Sequence, residues 1–118
     1  MTVYGIKNCD TMKKAFDWLK RNNIEFDFHD YKKSGIDKIT LLKWLETHKI
    51  DVLINTKGST WKQLSDEQKN SISNIEDAIA LMISKPSMIK RPLVELEKSY
   101  LLGFDEAKWQ TLISPTNL

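Results

Sequence analysis

The stretch Tyr4-Gly5-Ile6-Lys7-Asn8-Cys9-Asp10-Thr11 decides the predicted fold, because a short β-rich run changes there into a helix through a polar turn. The run from Thr2 to Ile6 predicts a first strand. A helix follows from Met12, where apolar side chains recur at positions 12, 15, 16 and 19 and share one helix face. Cys9, the only cysteine of the 118 residues, therefore stands between a strand and the start of a helix.

The next segments repeat the order of strand and helix. Ile24 to Tyr31 alternates strictly, which predicts a half-buried strand with the apolar positions 24, 26 and 28 on one face. A second helix is predicted over Asp37 to His48. Its predicted inner face consists of Leu41, Leu42 and Leu45. The first strand, helix and second strand form a βαβ unit with a right-handed crossover.

The middle of the chain is helical and segmented. Helix starts are predicted at Ser59–Gln63, Ser65–Gln68 and Ser73–Glu76, of which the last two have the spacing of a capping box. The helix after the third start carries an apolar stripe at positions 75, 78, 79 and 82, and Pro86 ends it.

The last third predicts a hairpin and a final helix. Leu93–Leu96 and Tyr100–Phe104 are apolar runs joined by a short polar segment, as in a β-hairpin. Phe104–Ile113 predicts the helix, and Ser114–Leu118 a frayed tail. The inner face of this helix is expected near Ala107 or Lys108, Trp109 and Leu112.

These elements predict the architecture of the whole chain. The order is β-α-β-α, a helical insert at about residues 50–88, then β-β-α. Two strands around a crossover helix, followed by a hairpin and a last helix, predict an α/β, thioredoxin-like fold with a four-stranded mixed sheet. The length of 118 residues indicates a single domain over residues 1–118.

Composition argues against several function classes. The 18 basic and 16 acidic residues leave a net charge of +2, too balanced to indicate nucleic-acid binding. No apolar run approaches the roughly 20 residues of a membrane span and no signal peptide is recognised, so we expect a cytoplasmic protein without a membrane partner. His29 and His48 are isolated and predict no metal site. With one cysteine, redox chemistry at Cys9 needs an external thiol.

The position of Cys9 predicts a reactive thiolate. The first N–H groups of a helix lack partners and carry the positive end of its dipole, which lowers the pKa of a thiol there below the free value of about 8.5. Lys7, Lys13 and Lys14 add positive charge nearby in sequence, and Thr11 offers a hydroxyl to the sulfur or to the helix end. The alternative is a small buried apolar cysteine. The polar turn favours the reactive interpretation.

Arg91 is the second candidate, because Arg21 and Arg91 are the only arginines of the chain. A guanidinium is the better planar donor for an oxyanion, whereas lysine solvates a surface. In the predicted fold the strand that holds Pro92 lies beside the first strand, so Arg91 faces the Cys9 turn. The alternative is an ordinary solvated arginine.

The stretch around Cys9 and the later Ile89-Lys90-Arg91-Pro92-Leu93 resemble the ArsC/Spx superfamily, with the closest match in its YffB-like branch. Three further motifs resemble that branch in the same order: Phe28-His29-Asp30-Tyr31, Asn55-Thr56-Lys57-Gly58-Ser59-Thr60-Trp61 and Leu101-Leu102-Gly103-Phe104. The resemblance covers essentially the whole chain. It implies a thioredoxin fold with a helical insert and a thiolate at Cys9 that attacks an oxidised substrate.

The resemblance also implies a site and its partners. Cys9 matches the nucleophile and Arg91 the oxyanion-binding arginine, which are the two implied catalytic residues. The implied substrate- or glutathione-binding residues are Asn8, Thr11, Lys57 and Pro92. The Arg91–Pro92 peptide bond is expected to be cis. The implied protein is a glutathione-dependent thiol reductase or arsenate reductase-like oxidoreductase, with no bound cofactor, glutathione as co-substrate and glutaredoxin as a further partner.

Two departures leave alternatives open. Arsenate reductases use several arginines around the oxyanion, whereas here the insert loop offers Lys57 and Arg21 lies at the far end of the first helix, which argues against arsenate. The Asn55–Thr60 loop lacks the spacing of a phosphate-binding loop, and an ordinary helix-capping loop is its alternative. The alternative function is an Spx-like regulator that binds RNA polymerase, but Met12 replaces the second cysteine of the Cys-x-x-Cys switch.

Overall fold

Four strands form one mixed sheet in the computed structural model, which describes residues 1–113. They are β1 (Thr2–Gly5), β2 (Asp27–Asp30), β3 (Leu93–Glu95) and β4 (Tyr100–Leu102), arranged in the order β2-β1-β3-β4. β1 pairs with β2 in parallel and with β3 antiparallel, and β3 pairs antiparallel with β4. The predicted α/β class, mixed sheet and C-terminal hairpin are confirmed. The predicted tail Ser114–Leu118 lies outside the described residues.

Helices connect these strands and fill the middle of the chain. They are α1 (Asp10–Arg21), α2 (Tyr31–Ser34), α3 (Lys38–Leu45), α4 (Ile50–Leu53), α5 (Ser59–Lys62), α6 (Asp66–Ser71), α7 (Ile75–Ser84), the 3₁₀ helix Pro86–Met88, and α8 (Glu106–Leu112). The short helices α2 and α4 were not predicted, because a single helical turn has no apolar period of its own.

The chain divides into two compact units. The sheet unit consists of Met1–Asp30 and the C-terminal segment from Arg91, and it contains the sheet, α1 and α8. The helical unit is Tyr31–Lys90. It begins before the insert predicted at about 50–88 and includes the second predicted helix. That residues 1–118 form a single domain stays a prediction.

The core of the sheet unit lies on one face of the sheet. The register pairs Val3 with Val94 and Val94 with Leu101, so these side chains form a row across three strands. The row packs against α1 and α8, and all the predicted apolar positions of α1 contribute. The buried members of this core are Val3, Met12, Ala15, Trp18, Leu19, Ile24, Val94, Leu101, Trp109 and Ile113. Phe16 packs against them from a half-buried position.

Two predictions about the earlier elements need correction. The strand predicted from Ile24 begins at Asp27, because the Ile24 N–H donates to the Leu19 carbonyl at 3.0 Å and still belongs to the turn that closes α1. In α3, Leu41 is buried as predicted, but Leu42 is 41% exposed and Trp44 is buried in its place. A step of one residue turns a helix by about 100°, which carries Leu42 away from Leu41 and toward solvent.

Two later predictions also change. Asn74, not Ser73, caps α7, because its Oδ1 accepts from the Asp77 N–H, whereas the Ser73 hydroxyl donates to the Asn70 carbonyl. The capping box of Ser65 and Gln68 is confirmed. In the apolar stripe of α7, Ile75 is exposed while positions 78, 79 and 82 are buried. Of the side chains expected on the inner face of α8, Trp109 is buried, and Ala107, Lys108 and Leu112 are exposed.

Candidate active site

Cys9 occupies the N-cap position of α1. Its backbone is extended (φ −145°, ψ 130°), and its carbonyl accepts the first helical hydrogen bond from the Lys13 N–H at 3.0 Å. The Cys9 N–H donates to the Lys7 carbonyl at 3.1 Å, which holds the turn between β1 and the helix. The side chain is half-buried. The prediction that Cys9 lies between the first strand and the first helix is confirmed.

The surroundings of the sulfur favour its thiolate form. Burial by itself raises the pKa of the Cys9 thiol, but hydrogen bonding from the Met12 N–H opposes it, followed by the hydrogen bond and charge of Arg91 and by the Thr11 N–H. Together these groups hold the pKa of Cys9 below its ordinary value. A thiolate that is partly accessible and paired with a cation is a nucleophile suited to thiol exchange.

Strand pairing brings Arg91 to Cys9. The antiparallel register sets Leu93 opposite Tyr4, so the chain just before β3 lies at the end of β1 from which the Cys9 turn begins. From this half-buried position the Arg91 guanidinium lowers the pKa of the Cys9 thiol through hydrogen bonding and through its charge. Pro92 is buried, and the Arg91–Pro92 peptide bond is cis, as predicted. The predicted approach of Arg91 to the Cys9 turn is confirmed.

The other residues predicted near Cys9 are exposed, and their side chains are not among the groups that lower the pKa of the sulfur. Lys7, Lys13 and Lys14 are exposed, and Arg91 is the cation that lowers the Cys9 pKa among the residues described. Thr11 is exposed, and its backbone N–H rather than the predicted hydroxyl acts on the sulfur. Asn8 is exposed immediately before Cys9. The binding of a substrate or glutathione by Asn8, Thr11 and Pro92 stays a prediction.

Lys57 lies in the helical unit, in the exposed part of the loop that leads into α5. Its N–H donates to Asn55 Oδ1 at 3.2 Å, and the Asn55 N–H donates to the Met88 carbonyl at 2.8 Å. A Cβ on Gly58 would lie 2.8 Å from Asn55 Nδ2, so the Asn55 side chain would have to shift to admit one. This ordered helix-entry loop matches the capping alternative. The predicted contact of Lys57 with a substrate stays a prediction.

Met12 is the functional residue that sequence reasoning missed. Its backbone N–H acts on the Cys9 sulfur, and its side chain is fully buried beside Gly5, where an added Cβ would lie 2.6 Å from Met12 Sδ. The signal was present in the sequence, because the N–H groups of the first helical turn lack helical partners and lie near the N-cap side chain. Within residues 1–113 no group of three His, Cys, Asp or Glu side chains is placed to hold a metal ion. No helix of that stretch is both long and apolar enough to cross a membrane.

Comparison with known proteins places this site in a family context. A solved YFFB protein is 43% identical and superposes with a TM-score of 0.87, covering 93% of this chain and 96% of that one. A solved arsenate reductase (ArsC) related protein of Brucella melitensis is 40% identical, with a TM-score of 0.74 over 95% of this chain and 92% of its own. An uncharacterized protein of Haemophilus influenzae is 42% identical over 93% of this chain and 96% of its own length. These likenesses confirm the thioredoxin-like fold.

The global transcriptional regulator Spx of Streptococcus pyogenes is a more distant relative, 26% identical over 97% of this chain and 85% of its own length. Both reductase-related proteins and regulators therefore stand among its relatives. The ArsC family matches residues 4–112, which is nearly the whole chain. The chain belongs to the ArsC family.

Proposed function

We propose that the chain is a glutathione-dependent thiol reductase that uses Cys9 as a single nucleophile and an external thiol to resolve the intermediate. The observation that carries the proposal is the Cys9–Arg91 pair, in which the Arg91 cation helps to lower the pKa of the Cys9 sulfur. A nucleophile and the group that activates it within hydrogen-bond reach are the mark of covalent catalysis. Reduced glutathione is plentiful in the cytoplasm, where we expect the reaction to run.

The reaction has two exchange steps. The Cys9 thiolate attacks one sulfur of a disulfide, so that a bond from Cys9 to that sulfur forms, the disulfide bond breaks and the other sulfur leaves as a thiolate. Glutathione thiolate then attacks the mixed disulfide, which releases Cys9 as a thiolate and yields a new disulfide with glutathione. Arg91 stabilises the Cys9 thiolate before the first step and after the second, and it offers N–H donors to a carboxylate of the substrate.

A disulfide fits the site better than a tetrahedral oxyanion does. Arg91 is the guanidinium at Cys9, whereas Arg21 lies in the last turn of α1. A helix of this length separates its two ends by roughly 16–18 Å. One planar donor pairs with one carboxylate, as on glutathione, while arsenate carries more charge and more oxygens to satisfy. We therefore propose that arsenate is a poor substrate and that glutaredoxin, where present, accelerates the resolving step.

Mass spectrometry and a coupled assay test the proposal. After incubation with oxidised glutathione, the protein should gain one glutathione at Cys9 and lose it when reduced glutathione is added. A glutathione-coupled assay over a panel of charged disulfides, neutral disulfides and arsenate should show turnover that Cys9→Ser abolishes. A protein that gains no glutathione, or whose turnover survives Cys9→Ser, would be no reductase of this kind.

A non-enzymatic regulator is the second candidate, favoured by the likeness to Spx over nearly the whole chain. Such a protein would bind RNA polymerase and turn over no substrate. Met12 argues against a switch within the chain, because the buried thioether stands where the second thiol of a Cys-x-x-Cys pair would be. Co-purification with RNA polymerase, together with an inactive coupled assay, would favour this candidate over the reductase.

A further inference from the structure

Gly103 connects the backbone next to Arg91 with the core. Its N–H donates to the Pro92 carbonyl at 2.8 Å, and its own carbonyl accepts from Trp109 Nε1–H at 3.2 Å. The first of these bonds extends the pairing of β3 and β4 by one residue, because Leu93 is opposite Leu102. A continuous path of hydrogen bonds therefore leads from the indole of Trp109 to the residue that follows Arg91.

The core fixes the Trp109 end of this path. Trp109 is fully buried, and its ring meets Trp18 edge to face at 5.7 Å and Phe104 at 4.8 Å between centroids. Asp105 caps its helix α8, because the Asp105 side chain accepts from the Lys108 N–H at 3.2 Å. Trp18 and Phe104 pack against the Trp109 ring on two sides and fix its orientation. In that orientation the indole N–H points toward the Gly103 carbonyl.

The backbone conformation of Gly103 completes the path. Its φ of +78° lies in the left-handed region, which side chains with a Cβ rarely adopt. A Cβ built on Gly103 would meet no atom within 4 Å, so the glycine is required for its backbone angle and not for space. In this conformation the Gly103 N–H bonds to the Pro92 carbonyl while the Gly103 carbonyl accepts from Trp109.

We propose that Trp109 and Gly103 are positioning residues for Arg91, holding the Pro92 backbone so that the guanidinium stays fixed at the Cys9 sulfur. The inference rests on the proposed function of the Cys9–Arg91 pair and extends it into the core. A cation acts best on a nucleophile when it is held in place before the reaction, because no energy is then used to order it. Neither residue is among the groups that lower the pKa of the Cys9 sulfur, so each acts through Arg91.

Replacing Trp109 by phenylalanine tests the path, because it keeps an aromatic ring in the core and removes the N–H. The Cys9 pKa, followed by thiolate absorbance, should rise toward the free value. The rate with a negatively charged disulfide should fall roughly two- to tenfold, the effect of one hydrogen bond, and the rate with a neutral disulfide should fall less. Trp18→Phe is the matched control, since it disturbs the same ring pair without a bond to Gly103. Equal pKa shifts in both variants, or none in either, would overturn the proposal.

Gly103→Ala supplies a second test in case Trp109→Phe does not fold. It should raise the Cys9 pKa in the same way through its backbone angle. Gly35→Ala is its matched control, because Gly35 also has a positive φ of +61° and open space around a Cβ but lies in the helical unit. A shift confined to Gly103→Ala supports the proposal, and equal behaviour of both variants rejects it. A wild-type Cys9 pKa at the free value would instead overturn the proposed function, so the two failures are distinguishable.

Discussion

Arg91 lies two residues before β3, the strand that pairs antiparallel with β1, and from there its hydrogen bond and its charge lower the pKa of Cys9. The pairing of β1 with β3 therefore sets the position of the Arg91 cation, which does not depend on a flexible surface side chain. Burial of the sulfur disfavours its charged form and raises the pKa of Cys9. The interactions with Arg91 are among those that lower this pKa again. The Cys9 sulfur and the Arg91 guanidinium therefore act as one pair, in which the cation favours the thiolate.

Cys9 should titrate below the value of a free thiol. Because the Met12 N–H, Arg91 and the Thr11 N–H together stabilise the thiolate more than burial opposes it, the alkylation rate should reach its plateau at a lower pH than for free cysteine. Thiolate absorbance or iodoacetamide kinetics across a pH series would measure this. A midpoint at or above about 8.5, the free value, would contradict the reactive site.

The same shift predicts a pH-dependent difference in stability between the wild type and Cys9→Ser. The folded-state pKa lies below the unfolded one, so between them the unfolded chain binds more protons. The wild type should therefore gain stability relative to Cys9→Ser as pH rises from the folded pKa to about 8.5, and lose this advantage as pH falls through the folded pKa. Urea midpoints of both proteins at several pH values measure it. A difference that shrinks as pH rises has the wrong sign.

Arg91→Lys should keep the fold and part of the thiolate character while losing the planar donor. The lost charge-assisted contact is worth roughly 1.5–3 kcal/mol, so the second-order rate with a charged disulfide should fall about tenfold to hundredfold. A neutral disulfide should lose less, because it brings no carboxylate to Arg91. Stopped-flow rates with both disulfides measure the contrast.

Arg21→Lys is the matched control for that variant, because Arg21 is exposed in the last turn of α1, at the end opposite Cys9. It should leave both rates unchanged. If Arg91→Lys slows the two disulfides equally, or slows neither, Arg91 does not bind the anion.

Local patterns predicted most of the sheet unit. The apolar period from Met12 and the alternation around Phe28 are properties of single elements, and the structure keeps both. Leu42 was misplaced because α3 is too short for a clear period, and its neighbour Trp44 offers a larger apolar surface to bury. Ser73 was misplaced because two adjacent residues can both cap a helix, and side-chain geometry chooses between them.

The candidate site could not be predicted from local sequence patterns alone. That Cys9 starts a helix follows from the sequence, but its partner Arg91 depends on strand order, which the family resemblance supplied and the register confirms. The hydrogen bond from Trp109 to Gly103 joins a core ring to a loop carbonyl, and neither a tryptophan nor a glycine in the sequence predicts such a bond. The bond depends on the folded backbone, which brings the Gly103 carbonyl to the indole N–H of Trp109.

Met12→Cys should give the chain the internal switch that it lacks. The Met12 N–H acts on the Cys9 sulfur, so the backbone of position 12 is already beside it, at the spacing of N-cap and third helical residue. Once Cys9 carries glutathione, the new thiol at position 12 can attack the Cys9 sulfur, form an intrachain disulfide and release glutathione as a thiolate. The wild type, with a thioether there, must keep its adduct until an external thiol arrives.

Mass spectrometry after oxidised glutathione distinguishes the two proteins. The wild type should carry one glutathione, and Met12→Cys should carry none while losing two hydrogens and resisting alkylation. Met12 is fully buried in the core, so the variant should also lose about 1–3 kcal/mol of stability, less than truncation to alanine would cost. Met12→Leu, which keeps the core filled without a thiol, should retain the adduct as the wild type does. A stable adduct on folded Met12→Cys would mean that the two positions cannot be bridged, and that Met12 is not what commits this chain to an external thiol.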